Sequence, residues 1–545
     1  MTQPPTTTMT WRHLLVAAIT VALLGAGCSS SDDNAPASAS PSSSADPTAP
    51  SSTSPTTPTT TAPPEPAPAM PAEVSGPITA GAGPSLPQPA APAPEGYVEE
   101  EFFFGGEATS YMLTGEPSLD GMWSAMPDTT APYQTRLLVR RPPAERFSGV
   151  VLVEWLNVTA GLESSPDWAY LSEEIGRSGH AYVAVSVQSQ GVEGGTGILE
   201  VEVDEEQAAQ AGTEGEVNTD GLVNADPERY GSLSHPGDPY AFDMYSQAGA
   251  AVRDHAASVL GGLEPSHVVA VGESQSAFFL TSYINAVHPL VDVYDGFLVH
   301  SRGGAAVPLD GNLRGDDAAQ ATSPLAAGVA IRTDLAEPVF IFEAETDLTL
   351  LGYSTARQPD TETVRTWEVA GTAHADAHVI GSVLGTERDP TVGSFLGCDD
   401  LINTGPHHEV YQAALSHLVT WLTDGTAPPT GEPLEITDTE PAEIRRDDLG
   451  IALGGVRNPL VDVPVAVLSG DPPYEVDLDS LDTCALFGTT APLDAATLIE
   501  IHGSADEYVA AFGAAADAAV EAGHLLPADA ATLVDEAEAN RALFG

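Results

Sequence analysis

Ser274, Asp347 and His374 supply a hydroxyl, a carboxylate and an imidazole in the chain order that acyl-transfer chemistry uses on an open parallel sheet. A serine hydroxyl attacks a carbonyl only when a base takes its proton, and the base needs an orienting carboxylate. Ser274 stands in His267-Val268-Val269-Ala270-Val271-Gly272-Glu273-Ser274-Gln275-Ser276, a short apolar run ending in Gly-x-Ser-x-Ser. Phe278, Phe279, Tyr283 and Ile284 follow at helix-compatible spacing. Strand, sharp turn and helix are the parts of a nucleophile elbow, whose strained serine requires small residues two before and two after it. Gly272 and Ser276 meet that need, Ser276 standing where the usual motif has Gly. A buried strand followed by an ordinary loop serine gives the same short match, so the reading rests on the partners.

The partners follow in order. The apolar run Pro338–Phe342 ends in Glu343-Ala344-Glu345-Thr346-Asp347, and Val364–Val369 ends in Gly371-Thr372-Ala373-His374-Ala375-Asp376. All three candidate groups thus sit at the carboxyl ends of expected strands, where open parallel sheets carry their sites. His374 is the expected base, against the plainer reading of a surface-loop histidine; His378 is its neighbour. Asp347 is the expected acid because it lies on the turn and can be aimed freely. Glu345 is close enough to be the alternative acid, and whichever carboxylate is not used is expected to be structural. One oxyanion donor is expected at the backbone N–H of Gln275 and another at Leu156 or Asn157, after the strand Val150–Glu154. Trp155 and Trp168 read as core packing. His374 and His378 have i, i+4 spacing without an intervening His-Glu-x-x-His pattern, and His407-His408-Glu409 is too small a set, so no metal is expected. No Gly-rich phosphate fingerprint follows a first strand, so no nucleotide cofactor is expected either.

Positioning these groups requires an alternation of strands and helices. Strand-like runs lie at Glu99–Phe104, Gln134–Arg140, Val150–Glu154, Ala181–Val187, His267–Val271, Val291–Val299, Pro338–Phe342 and Val364–Val369. Helical patterns run from Ser165 to about Arg177, Ala241 to Leu260 and His408 to Leu422. Continuous apolar runs are strands buried on both faces, and the alternation predicts an α/β fold with a doubly wound, mostly parallel sheet. Residues 188–240 are a long Gly- and acid-rich insertion, and a loop of that length is usually functional.

The chain has 545 residues and a formal net charge of −60, from 78 acidic against 18 basic residues, all of them arginine. So acidic a surface repels nucleic acid and polyanions, and favours neutral small-molecule substrates. Residues 1–28 read as an export signal: Arg12 and His13, the apolar run Leu14–Leu24, then Gly25-Ala26-Gly27-Cys28. Small residues before Cys28 resemble a bacterial lipobox, with Leu24 one position earlier than usual, so Cys28 is the expected lipidation site and only membrane attachment. Residues 29–95, rich in Ser, Thr, Pro and Ala, form an expected disordered tether. Residues 96–424 form the catalytic domain. Residues 425–545 form a C-terminal extension with helical patterns at Ala505–Ala522 and Pro527–Leu543. Cys398 and Cys484 are then the remaining cysteines of an exported chain, and are expected to pair.

Glu154-Trp155-Leu156-Asn157-Val158, Tyr230-Gly231-Ser232-Leu233-Ser234-His235-Pro236-Gly237, Arg357-Gln358-Pro359-Asp360, Trp367-Glu368-Val369-Ala370-Gly371-Thr372-Ala373-His374-Ala375-Asp376 and Gly454-Gly455-Val456-Arg457-Asn458-Pro459 resemble a bacterial alpha/beta-hydrolase-domain family of poorly defined specificity. The resemblance runs from about Gly96 to the C-terminus and implies an α/β-hydrolase fold with esterase-type chemistry. The expectation is a lipid-anchored serine hydrolase of the cell envelope acting on carboxylic esters or lactones. Acyl transfer or peptide hydrolysis on the same triad, and a non-catalytic surface binding module, are the other readings.

Overall fold

The structure is a computed structural model of the chain and describes residues 72–88, 91–195, 220–312, 328–384, 386, 388–439, 441–474, 476 and 483–545. The expected signal, Cys28, the tether up to residue 71 and residues 196–219 of the insertion lie outside the described residues.

In chain order the main strands are β1 (Glu73–Ser75), β2 (Val98–Leu113), β3 (Ala125–Arg141), β4 (Val150–Trp155), β5 (Ala181–Val185), β6 (His267–Glu273), β7 (Gly296–His300), β8 (Val339–Ala344) and β9 (Val364–Val369). They form one nine-stranded sheet in the order β1-β2-β3-β5-β4-β6-β7-β8-β9. The strands from β5 through β9 are parallel. β1, β2 and β3 pair antiparallel, and β3 joins β5 antiparallel. From β4 the chain steps to β5 on one side, then returns across β4 to β6 on the other. Strand order reverses there, and the crevice outside the carboxyl ends of β4 and β6 is the place where such a sheet can hold a ligand.

Every residue of β4, β5, β7 and β8 is buried, which is why these strands read as unbroken apolar runs. The main helices are α1 (Pro166–Ser178), α2 (Ala241–Asp254), α3 (Gln275–Ser282), α4 (Glu345–Thr349), α5 (Ala377–Leu384), α6 (His407–Asp424), α7 (Ala495–His502), α8 (Ala505–Ala522) and α9 (Pro527–Ala539). One sheet face, with Val151, Val153 and Val268, packs on Phe242 and Tyr245 of α2 and Phe279 of α3. The other, with Leu152, Val269 and Phe340, packs on Ile175 of α1 and Leu415 of α6, and the same cluster continues into Phe512 of α8 and Leu533 of α9. The doubly wound fold is as expected. Trp155, stacked on Phe279 at 5.0 Å, and Trp168 are core residues.

Several boundaries differ from expectation. The ordered body begins before Gly96: β1 pairs with β2, and the Ile78 N–H donates to Glu101 O at 2.8 Å. Residues 72–88 therefore belong to the fold, because the sheet edge recruits them despite their Pro- and Gly-rich composition. β2 and β3 are far longer than the runs that marked them, continuing through Gly105-Gly106 and past Pro127 and Pro132. Both prolines lie where β3 has only β2 beside it, so their missing N–H groups interrupt no second ladder. β7 starts at Gly296, not at Val291, because Asp292 turns left-handed at φ 48° and Asp295 accepts the Val268 N–H at 2.6 Å before the strand begins.

The extension adds α7 and a small antiparallel ribbon, β10 (Ala466–Ser469) with β11 (Thr489–Pro492), neither of which was expected. It returns to the main sheet at a bridge between Val369 and Val456. Cys398 and Cys484, 86 residues apart in sequence, form a disulfide that fastens the segment ahead of α6 to the segment ahead of β11. A native disulfide typically stabilises by about 2–4 kcal/mol, mainly by constraining the unfolded chain. Cys484→Ser is expected to lower unfolding stability by that amount in denaturant titrations, and reductant should then have no further effect on the variant. Equal stability of the two proteins would refute this.

Candidate active site

The turn after β6 places Ser274 at φ 55° and ψ −119°, a region that non-glycine residues rarely occupy. Its N–H donates to His300 O at 3.0 Å, and its carbonyl accepts from Phe278 N at 3.1 Å to begin α3. The need for small neighbours is visible: a Cβ on Gly272 would come within 3.2 Å of the Ser276 Cβ. Ser276 fits because its side chain is short, and Ser274 itself stays partly exposed.

β8 and β9 deliver the other two groups. His374 Nε2 lies 2.9 Å from Ser274 Oγ, and His374 Nδ1 lies 2.7 Å from Asp347 Oδ1. The other oxygen of Asp347 accepts the Ala344 N–H at 2.6 Å, so the carboxylate is held on both sides. The His374 N–H donates to Thr346 Oγ1 at 3.2 Å, which ties the histidine loop to the acid loop. Burial disfavours the charged imidazole, but the neighbouring Glu273 and Asp347 carboxylates outweigh it and raise the His374 pKa.

Glu345 is turned away from His374. Its Oε1 accepts the Gly371 N–H at 2.6 Å, and its Oε2 accepts the Gly470 N–H at 3.0 Å and Arg446 Nη2 at 2.8 Å. It joins the acid loop, the start of the histidine loop and the extension in one buried cluster. Burial raises its pKa, with Arg446 opposing.

The oxyanion expectation is corrected at Leu156 and Asn157. The backbone N–H of Gln275 opens α3 and has no acceptor among the described residues. The N–H of Leu156 donates to Val185 O at 3.4 Å, and that of Asn157 donates to Ser164 O at 3.0 Å. Both are therefore engaged, because β4 continues its pairing with β5 past Trp155 and the loop then folds on itself. The Gln275 side chain also secures that loop, its Oε1 accepting the Val158 N–H at 3.0 Å.

Several site residues escaped the sequence reading. Glu273 ends β6 with Oε1 3.2 Å from His374 Nε2. Behind the triad, His407 Nδ1 faces Ala373 O at 2.9 Å, and its Nε2 lies 2.6 Å from His300 Nε2. His300 Nδ1 meets Asp167 Oδ1 at 2.9 Å, and the Tyr411 hydroxyl donates to the same oxygen at 2.6 Å. Burial pushes the His300 pKa down to about 3 and raises that of Asp167 to about 7. Both imidazoles are then neutral, and the bonding pattern assigns the protons. His407 donates to Ala373 and accepts from His300, and His300 accepts from the Asp167 carboxyl. This chain braces the backbone next to His374. The adjacent pair His407-His408 was visible in the sequence, but nothing local linked it to His300 or Asp167. His378 contacts Ala169 O at 3.2 Å and stacks on His408 at 3.7 Å, so it serves packing. The described residues also gather His288, Asp292 and Glu337, their ligand-capable atoms within 4.8 Å of one another. These precede β7 and β8, at the opposite end of the strands from Ser274.

Residues 74–535 match the model of the alpha/beta hydrolase domain family. The chain belongs to this family. The match begins at β1, ahead of the expected Gly96, and runs through the extension into α9. No curated protein matches the sequence. Among solved structures, this alpha/beta hydrolase is similar to a fungal esterase from Rhizomucor miehei, at 12% identity, covering 62% of this chain and 87% of that one with a TM-score of 0.29. Esterase Est22 matches at 13% identity, covering 54% and 80% with a TM-score of 0.27. A CE15 glucuronoyl esterase from Teredinibacter turnerae matches at 8% identity, covering 60% and 68% with a TM-score of 0.25.

Proposed function

We propose that the protein is a serine hydrolase of uncharged carboxylic esters, lactones included, working through an acyl-enzyme on Ser274. The observation that carries this is the double engagement of His374, with Nε2 on Ser274 Oγ and Nδ1 on Asp347. In this reading Ser274 attacks the carbonyl carbon while its proton passes to His374 Nε2, and Asp347 holds the ring in the tautomer that can accept it. The Gln275 N–H faces the oxygen that gains charge. His374 returns the proton to the leaving alkoxide, and water then releases the acyl group by the same route. The net charge of −60 biases the substrate towards neutral molecules, since an anion approaches against the field. A fluorophosphonate probe is the direct test: it should label the purified protein at Ser274 alone, as mapped by peptide mass spectrometry. Labelling elsewhere, or none, removes the reading.

The same proposal places the enzyme outside the cytoplasm on a lipid anchor. Its support is the apolar run Leu14–Leu24, the small residues before Cys28 and the long polar tether. In detergent phase separation the wild type is expected in the detergent phase and Cys28→Ala in the aqueous phase. Aqueous partitioning of both would reject the anchor.

A further inference from the structure

We propose that Glu273 is a second carboxylate partner of His374, sharing Nε2 with Ser274 and stabilising the imidazolium that forms when the serine gives up its proton. The inference rests on the serine-hydrolase reading above. Glu273 is the last residue of β6, one position before the turn that aims Ser274. Its Oε1 lies 3.2 Å from His374 Nε2, the nitrogen that Ser274 Oγ approaches to 2.9 Å. Its Oε2 lies 3.4 Å from Asn157 Nδ2. The side chain is buried, and among the described residues His374 is its sole ion-pair partner.

Proton accounting gives the contact its meaning. The Nδ1–H is committed to Asp347, so a neutral His374 presents a lone pair at Nε2. A carboxylate does not rest against a lone pair, so one proton lies between Glu273 and His374 in the resting site. Both groups hold it to higher pH than usual. Burial pushes Glu273 up to about 8, with His374 opposing and the Asp347 carboxylate adding to the rise. Burial also acts against the His374 imidazolium, but Glu273 and Asp347 outweigh it. The remaining neighbours supply no cation: His300, paired with Glu273 in the β6–β7 register, is neutral, and burial keeps the Tyr170 and Tyr411 phenols protonated.

While the proton occupies Nε2, Ser274 has no base. Once it leaves to solvent, the pair is a carboxylate beside a neutral imidazole. Ser274 Oγ then bonds the ester carbon, the carbonyl π pair moves onto oxygen, and the Oγ proton passes to Nε2. The new imidazolium lies between Asp347 and Glu273. Collapse breaks the carbon–alkoxide bond, the Nε2 proton goes to the alkoxide, and neutral imidazole remains beside the acyl-serine.

The test is the pH profile of kcat/KM for an uncharged ester in wild type, Glu273→Gln and Glu273→Asp. Removing the negative charge lowers the proton affinity of His374, so the acid limb of the Gln variant should move to lower pH by about 1–3 units. Its plateau kcat should fall about tenfold or more, one pKa unit being a factor of ten, with KM unchanged. Glu273→Asp should recover part of the raised limb, and NMR titration of the His374 ring should show the same shifts without turnover. A Gln variant with the wild-type limb overturns the proposal, as does a loss of kcat and thermal stability with the limb unmoved. So does a wild-type limb at or below the ordinary histidine value of about 6.5, which needs no variant. Fluorophosphonate labelling run alongside separates the two failures. An unlabelled wild type removes the serine reading itself, whereas a labelled wild type with an unmoved Gln limb removes Glu273 alone.

Discussion

Ser274→Ala should lower kcat for an uncharged ester by on the order of 10⁶ while the protein stays folded. Among the described residues, the only side-chain bond lost is the one between Ser274 Oγ and His374 Nε2. The bonds that set the turn are backbone bonds, to His300 O and from Phe278 N, and alanine keeps both. Both residues carry a Cβ, so the left-handed φ of 55° costs each about the same. Circular dichroism and the melting temperature should therefore match the wild type, while the fluorophosphonate-labelled peptide disappears. His374→Ala should be nearly as damaging, and the double variant little worse, because the pair acts as a unit. Folded Ser274→Ala protein with wild-type turnover would mean that the whole constellation had been misread.

Asp347→Asn should cost on the order of 10⁴ in kcat. Asp347 faces two donors, the His374 Nδ1–H and the Ala344 N–H. An asparagine has one acceptor oxygen for them. If that oxygen keeps Ala344, the amide NH₂ meets His374 Nδ1 and forces the ring proton onto Nε2, where it blocks the base. Glu345→Gln should behave differently. Its oxygens receive Gly371, Gly470 and Arg446, so an amide there leaves a buried donor unsatisfied, at about 1–3 kcal/mol of stability. Its kcat should stay within about tenfold of wild type, since no bond to His374 is lost. Steady-state kinetics together with thermal melts distinguish the two variants, and the reverse ranking would hand the acid role to Glu345.

The sequence carried the architecture because buried parallel strands have no polar alternation to disguise them, as β4, β6 and β8 show. It carried the order Ser274, Asp347, His374 because each follows such a strand. It left Asp347 and Glu345 open because both lie on one short turn, and only the positions of Gly371, Gly470 and Arg446 reveal which way each points. It missed the outer parts of β2 and β3 because Gly105-Gly106 and two prolines read as breaks. The oxyanion expectation failed at Leu156 and Asn157 because an N–H is free or engaged according to how far a strand pairs, which no local pattern records. Glu273 stood in plain view between Gly272 and Ser274, but its burial against His374 depends on a residue a hundred positions away.

The histidine loop is bonded to chain that comes much later. The Ala370 N–H reaches Val456 O, Asn458 Nδ2 reaches Ala370 O, and the Ala375 N–H reaches Leu486 O. Thr346, which receives the His374 N–H, donates in turn to Gly470 O. A polypeptide synthesised from its N-terminus therefore displays Ser274 long before the segments that aim His374 exist. Until about the last sixth of the chain has emerged, the partners that hold the histidine loop are missing, so these bonds are the last of the site to form.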